Sequence, residues 1–294
     1  TRRALAVGFM GEGCHNRGMV EILDLESRLL RAVRGAVNGS RAYVCFSGGI
    51  DSTLVLAASL KAGLPTTAVL AVGPSLARSE RAEAHALAGH LGVELIELEA
   101  GESEVAGYRA NAGDRCYFCK SSLYGVAEAL AARQALPGML LNGTQVEDLG
   151  DHRPGLKAAQ EHGVKSPLVE AAFAKADIRA LARAWGLPNA EKEASPCLAS
   201  RFPVGTEVTP ERLRQVEAME EFLRAKGLWP ARARWHDSVV RLELPPEAMA
   251  MALAEPLRGE IERAAWRAGF RFAAVDLGGI QSGSLSKALN EVSA

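Results

Sequence analysis

The sequence predicts an α/β fold, a doubly wound parallel sheet followed by a smaller C-terminal α+β domain. Three observations carry this expectation. Through about residue 190, short apolar runs alternate with alanine-rich, charge-interleaved stretches, the strand–helix rhythm of a parallel sheet. One run, Tyr43-Val44-Cys45-Phe46, passes directly into a turn rich in glycine and hydroxyl groups, Ser47-Gly48-Gly49-Ile50-Asp51-Ser52-Thr53. In such sheets ligands sit at the carboxyl ends of strands, where that turn would lie. Beyond Pro188-Asn189 the pattern changes, and strands and helices no longer alternate regularly.

The elements follow in order. A helix is expected from about Val20 to Val37, with Leu23, Leu30 and Val33 among its apolar positions. The Tyr43–Phe46 strand comes next, then a helix continuing through Leu54 toward Leu60. Thr66–Val72 reads as a second strand, entered through Gly63-Leu64-Pro65. Ala77–Leu91 is helical, Glu94–Leu98 a third strand, Ser121–Arg133 a helix and Gly138–Leu141 a fourth strand. A loop from Glu191 to Thr206 holds Pro196, Cys197 and Pro203. Thr209-Pro210 then starts a helix, with threonine as cap and proline in the first turn, and Leu213, Val216, Met219 and Leu223 form its apolar stripe. Ala231–Trp235 and Val239–Leu244 are expected strands, Pro256–Arg267 a helix and Phe270–Asp276 a last strand. The expected divisions are a flexible leader 1–17, a first domain 18–190 and a second domain 191–294. There is no internal repeat.

Composition narrows the classes. With 294 residues, 48% hydrophobic and 23% charged, the chain can bury real cores as a soluble globular protein. A formal net charge of −1 argues against nucleic-acid binding by overall basicity, though not against a local basic groove. No apolar run approaches membrane-spanning length. The start, TRRALAVGFMGEGCHNRG, lacks a clean apolar core with a cleavage site and is read as a leader, not a signal peptide, and Thr1 implies that an initiator methionine is missing or removed. Five cysteines without an export signal point to a reducing cytoplasm. Cys45 falls in a strand and should pack; Cys14, beside His15, is read as incidental.

Two stretches carry chemistry. In SGGIDST the glycines let the backbone approach a ligand, and hydroxyls and free N–H groups at a helix start favour an anion. An ordinary turn with Ser or Asp capping the helix is the plain alternative. No Gly-Lys-Ser/Thr follows at the spacing of the familiar phosphate loop. The string resembles instead the PP-loop, SGGxDS, of enzymes that split ATP between the α- and β-phosphates. The second stretch is Asp114-Arg115-Cys116-Tyr117-Phe118-Cys119-Lys120. A CxxC can bind metal or form a redox pair, but two cysteines cannot complete a structural zinc site, and no second CxxC exists. Cys197, in Pro196-Cys197-Leu198-Ala199-Ser200-Arg201, offers a third thiol. Three thiolates suit an iron–sulfur cluster with one iron open; the alternative is that the three never meet.

The remaining polar strings are less specific. Asn142-Gly143-Thr144 ends the fourth strand, where a base or ribose could meet the backbone. Glu147-Asp148 and Asp151-His152-Arg153-Pro154-Gly155 read as a solvated loop with Asx turns. Arg201, Arg232 and Arg234 could clamp a phosphate or could be plain surface charge.

Taken in order, SGGIDS, DRCYFCK, NGTQVEDLGDHRPG, KSPLVE and PCLASRFPVG resemble the LarE family of ATP-dependent sulfur transferases, over about Val20 to Leu285. The resemblance implies an ATP-pyrophosphatase domain of the PP-loop type and, as substrate, pyridinium-3,5-biscarboxylic acid mononucleotide. ATP would adenylate each ring carboxylate, and a sulfur nucleophile would displace AMP to leave a thiocarboxylate, on the way to the nickel-pincer nucleotide cofactor of lactate racemase. Ser47, Gly48, Gly49, Asp51, Ser52 and Thr53 would bind ATP with Mg²⁺, and Gly143 and Thr144 would line the nucleotide site. Ser200, Arg201, Arg232 and Arg234 would take the substrate phosphate, and Asp276 metal or substrate. Cys116, Cys119, Cys197 and Asp51 are the candidate catalytic residues. Family members with all three cysteines hold a [4Fe–4S] cluster whose open iron carries sulfide; members with only the last give up its sulfur. The first route is expected here, with an external sulfide donor, and the sacrificial route and a PP-loop iron–sulfur tRNA thiolase are the alternatives. A non-catalytic metal-binding protein that kept the loop as scaffold is a further reading. The family also implies a homo-oligomer, trimer or hexamer, with the second domain serving substrate binding and assembly. The chain departs from the family at Gly279-Ile280-Gln281-Ser282-Gly283-Ser284-Leu285-Ser286 and at Ala190-Glu191-Lys192-Glu193.

Overall fold

The computed structural model describes residues 12–133, 138–150 and 154–281. The elements are α1 (Glu12–Val37), β1 (Arg41–Cys45), α2 (Ile50–Lys61), β2 (Thr66–Val72), α3 (Arg78–His90), β3 (Leu95–Glu99), α4 (Ala106–Ala110), α5 (Arg115–Arg133) and β4 (Gly138–Leu141). They continue with α6 (Pro154–Glu161), α7 (Pro167–Glu170), α8 (Lys175–Ala184), α9 (Pro210–Ala225), β5 (Arg232–His236), β6 (Val239–Glu243), α10 (Pro246–Leu253), α11 (Leu257–Arg267) and β7 (Phe272–Val275).

The chain forms two compact units. The first takes in the chain up to Ala71, Ala82–Leu98 and Tyr124–Ala194. Its four strands lie in the order β3-β2-β1-β4, with β1 parallel to both β2 and β4. Ala42 to Phe46 are all buried, which is why β1 reads as an unbroken apolar run rather than an alternating one. The chain winds outward from β1 through β2 to β3, then returns to place β4 on the other flank. The β1/β4 border is therefore the point where strand order reverses, the place where sheets of this kind bind ligands at the carboxyl ends. Helices α1, α2, α7 and α8 pack together, and Leu25, Leu29 and Val33 are the buried stripe of α1.

The second unit holds Val72–Arg81, Glu99–Leu123 and the chain from Ser195 on. Its sheet has the order β5-β6-β7, with β5 antiparallel and β7 parallel to β6. Leu213, Val216, Met219 and Leu223 of α9 form one core with Ala233, Trp235, Val240 and Leu242 of the sheet and with Ile261, Ala264 and Ala265 of α11. Tyr108 is buried in the same core, and Phe118 and Ala77 pack against it. The α9 start is as expected: the Thr209 hydroxyl accepts from the Arg212 N–H at 3.3 Å, and Pro210 occupies the first turn.

The parallel α/β sheet and the small C-terminal sheet are those expected from the sequence. Several bounds differ. The first helix begins at Glu12, not near Val20, and the helix expected at Ser121 begins at Arg115, so that both cysteines of the CxxC lie on it. Helices α4, α6, α7, α8 and α10 had no sequence expectation; all five have ten residues or fewer, too short for a clear period, and α6, α7 and α10 open on proline.

Candidate functional site

β1 delivers the chain to Ser47 just past its carboxyl end, at the border with β4. Gly48 takes φ of +71°, a left-handed turn that glycine adopts without strain, and a Cβ there would touch Ala84 at 3.4 Å. Gly49 is the residue before α2, and no side chain caps the helix. Ser or Asp capping, the plain reading of this turn, is not what occurs. Instead Ser52 and Thr53 turn back onto the loop: their hydroxyls donate to the Gly49 carbonyl at 3.1 and 2.8 Å. Ser52 Oγ also accepts from the Ser47 N–H at 3.2 Å and lies 3.2 Å from Ser47 Oγ. The loop is thus knitted from inside, and no side chain caps the start of α2.

Two neighbours support it from within the first unit. Asn189, buried, donates from Nδ2 to the Gly48 carbonyl at 3.1 Å and to Thr53 Oγ1 at 2.9 Å. Gly143, after β4, lies so close that a Cβ on it would fall 2.7 Å from the Ser52 nitrogen. Next to it, Asn142 Oδ1 accepts from the Thr144 N–H at 3.1 Å and from Ser166 Oγ at 2.8 Å, while its buried Nδ2 has no protein partner. The structure therefore brings Gly143 against Ser52, with Thr144 next to it in the chain.

Asp51 sits at the first turn of α2, and its Oδ1 is buried without a hydrogen-bond partner. Burial pushes its carboxyl above the ordinary carboxylate value; Lys175 and Arg179 oppose that shift and Asp148 and Glu147 add to it. Arg179 is committed to the carbonyls of Ala190 at 3.1 Å and Lys192 at 3.4 Å. Lys175, exposed at the start of α8, is the first-ranked favourable charge on Asp51. Sequence reasoning missed Asn189, Lys175 and Arg179; each lies far along the chain from the loop, and no local pattern marks it.

The second unit carries the thiols. Cys116 and Cys119 lie one turn apart at the start of α5, a spacing that puts both on one helix face. Cys116 and Cys197 are exposed. Burial pushes the Cys119 thiol up to about 12, and the nearby Cys197 and Cys116 thiols add to this. Tyr108, raised mainly by burial, also feels Cys197 and Cys119. The three cysteines are thus neighbours. Their donor type is that of an iron–sulfur cluster. As placed they are not close enough to share a metal: among the described residues no group of three Cys, His, Asp or Glu could hold one.

Cys197 precedes the short turn Leu198–Arg201. Behind it the Leu198 N–H donates to the Ser75 carbonyl at 3.0 Å, and Ser75 Oγ donates to the buried Glu102 at 3.0 Å. Arg201 is 4% exposed and spans Glu220 with Nε at 2.7 Å and Nη2 at 3.0 Å. Its Nη1 donates to the Pro196 carbonyl at 3.0 Å and to Ser200 Oγ at 2.8 Å. Arg234, also 4% exposed, donates to Glu243 at 2.8 Å and to the Ser200 carbonyl at 2.8 Å. Arg232 is half-buried and donates to the Gln281 carbonyl at 2.8 Å; burial, then Arg234 and Arg201, lower its pKa. Asp276 pairs with Arg241 and accepts from the Gly278 N–H at 2.8 Å. Asp151–Arg153, Ser282–Ser286 and residues 1–11 of the expected leader lie outside the described residues.

Comparison with known proteins places this architecture. The asparagine synthase family model matches residues 24–119, which include the Ser47–Ser52 loop. An uncharacterised protein of Synechocystis sp. is 38% identical over 91% of this chain and all of its own length. An uncharacterised protein of Methanocaldococcus jannaschii is 26% identical over 74% of this chain and 82% of its own. A pyridinium-3,5-bisthiocarboxylic acid mononucleotide synthase of Lactiplantibacillus plantarum is 37% identical over 85% of this chain and 91% of its own. On that last relationship, and on the loop it shares with PP-loop proteins, the chain belongs to the LarE family of sulfur transferases.

Proposed function

We propose that the protein is an ATP-dependent sulfur transferase acting on pyridinium-3,5-biscarboxylic acid mononucleotide. The observation that carries the reading is the exposed Cys197, presented at the head of a tethered turn with Cys119 and Cys116 beside it. The relative's name supports the substrate.

The chemistry has two halves. A carboxylate is a poor electrophile, so its oxygen first attacks the α-phosphorus of ATP and pyrophosphate leaves. Ser47, Gly48, Gly49, Ser52 and Thr53, at the uncapped start of α2, hold the charge that develops on the leaving phosphates. Gly143 and Thr144 would border the nucleotide, and Asp51 would hold Mg²⁺, which would supply positive charge to the phosphates. Lys175 adds a cation at the same mouth. Sulfur then attacks the acyl carbon and the bond to AMP breaks. If the sulfur is that of Cys197, loss of its Cα proton breaks the Cβ–Sγ bond, leaving dehydroalanine and a thiocarboxylate. If held by Cys116, Cys119 and Cys197, a [4Fe–4S] cluster would supply an iron for external sulfide; the type and number of the thiols favour this route, and the three would have to draw closer than they stand here to share it. Arg232 and Ser200 are candidates for the substrate phosphate, with Arg201, Arg234 and Asp276 nearby in the same unit. We further propose a cytoplasmic homo-oligomer, with ATP activation in the first unit and substrate binding and assembly in the second. Among the described residues no helix is long and apolar enough to cross a membrane.

Anaerobic purification with iron and sulfide counts, for the native chain and Cys116→Ala, tests the sulfur route. About four irons per chain, lost in the variant, support the cluster. An iron-free native chain that loses sulfur mass at Cys197 after one turnover supports the sacrificial route instead.

A further inference from the structure

Two buried ion pairs converge on the loop that carries Cys197. Arg201 and Glu220 meet through two parallel hydrogen bonds, and both are nearly excluded from solvent. Arg234 meets Glu243 at 2.8 Å, and Glu243 is fully buried. Burying charge is costly, and a well-packed apolar pair of similar volume would serve stability about as well. What an apolar pair would not do is hold main-chain atoms of a neighbouring loop. In both pairs the arginine has a donor left over, and in both that donor goes to the same short segment.

From Arg201 the spare nitrogen reaches the Pro196 carbonyl and Ser200 Oγ. From Arg234 it reaches the Ser200 carbonyl. The glutamates set where those forks point. Glu220, on α9, also accepts from the Ala233 N–H of β5 at 3.0 Å, so it ties helix, strand and guanidinium together. Glu243, on β6, stands opposite Arg232 in the register and takes Arg234 from the same strand. With the Leu198 N–H on Ser75, the loop is fastened at 196, 198 and 200, and the exposed thiol of Cys197 stands between fastened neighbours. A sulfur that must meet an acyl carbon gains from such a fixed frame, because small misplacements of a reacting atom are expensive.

We infer that Glu220 and Glu243 are positioning residues for sulfur transfer at Cys197, acting through Arg201 and Arg234 to fix the main chain on both sides of the thiol. The inference rests on the reading of Cys197 as the residue that handles sulfur. It gives the two buried arginines a task in the loop and leaves Arg232 as the arginine of the three best placed for a phosphate.

The test uses the full chain with Glu220→Gln and Glu243→Gln. Three quantities are measured: pyrophosphate released, thiocarboxylate formed per pyrophosphate, and the rate of iodoacetamide labelling at Cys197 relative to Cys116, read by peptide mass spectrometry. In folded variants, thiocarboxylate per pyrophosphate should fall about tenfold, near 1.4 kcal/mol of lost positioning, and relative labelling of Cys197 should change about threefold or more. An unchanged ratio with unchanged labelling overturns the inference. So does a parallel loss of both activities with unchanged labelling, the mark of a general structural defect. Should a glutamine variant fail to fold, Arg201→Lys and Arg234→Lys, which keep the buried charge but lose the planar fork, are held to the same outcomes. Cys197→Ala is the control: if it still forms thiocarboxylate, the sulfur reading fails, while labelling in the other variants still decides the positioning role.

Discussion

Asp51 combines a buried, unpartnered carboxylate oxygen with a pKa raised chiefly by burial. Between the ordinary carboxylate value and that raised value the folded chain keeps a proton that the unfolded chain has lost. Its contribution to stability is therefore present in acid and disappears as pH rises through the raised value. Asp51→Asn should raise the melting temperature of the nucleotide-free protein at neutral pH by about 2 °C, corresponding to about 1 kcal/mol. The same variant should slow pyrophosphate release about 100-fold, if the carboxylate holds the metal at the phosphates. Calorimetry and a pyrophosphate assay on one preparation check both; a variant that loses stability would show that the carboxylate is satisfied in the free protein. At Cys197, substitution by alanine should give pyrophosphate without thiocarboxylate, measured by mass spectrometry of the substrate. At this scale the sequence was informative about residue type and silent about partners. Ser47–Ser52 and Cys197 stood out as strings. That Arg201 and Arg234 are buried against Glu220 and Glu243 was not legible, because the glutamates lie on a helix and a strand whose buried and exposed positions look alike in an alternating charge pattern.

Among the elements, the junction of β4 with α2 is the tightest part of the site. A methyl group on Gly143 would meet the backbone of Ser52 at 2.7 Å, and backbone cannot swing aside as a side chain can. Gly143→Ala should cost about 1–3 kcal/mol in denaturant unfolding and should raise the KM for ATP more than it changes the KM for the second substrate. Farther along, Thr209 caps α9 through a single side-chain bond, and Thr209→Ala should cost about 1 kcal/mol with the fold intact. Urea titration measures both. The elements best foreseen were those with strong local signals: β2 and β4 agree with expectation at both ends, and α9 announced itself through Thr209-Pro210. The start of α5 lies ahead of the expected Ser121 because Asp114-Arg115-Cys116-Tyr117-Phe118-Cys119 has no apolar period, although both cysteines lie in the first two helical turns.

At the scale of the whole molecule, the two compact units are not two consecutive stretches of chain. Val72–Arg81 and Glu99–Leu123 cluster with the C-terminal portion, and Tyr108, Phe118 and Ala77 belong to or pack on its core. Pattern reading follows the chain and so places a boundary at a change of rhythm; it has no access to segments that leave one unit and join another. A fragment spanning 195–294 would lack Tyr108, a fully buried aromatic side chain, and should show no cooperative thermal transition by circular dichroism. A sharp transition in that fragment would show that its own apolar surface suffices.

In the proposed reaction one chain activates a carboxylate with ATP and replaces its oxygen with sulfur. The most direct measurement incubates the anaerobically purified protein with ATP, Mg²⁺, sulfide and pyridinium-3,5-biscarboxylic acid mononucleotide, then follows substrate mass together with AMP and pyrophosphate. The expected result is exchange of one carboxylate oxygen for sulfur per AMP and pyrophosphate released, absent when ATP is omitted. Release of neither product, with the substrate mass unchanged, would contradict it.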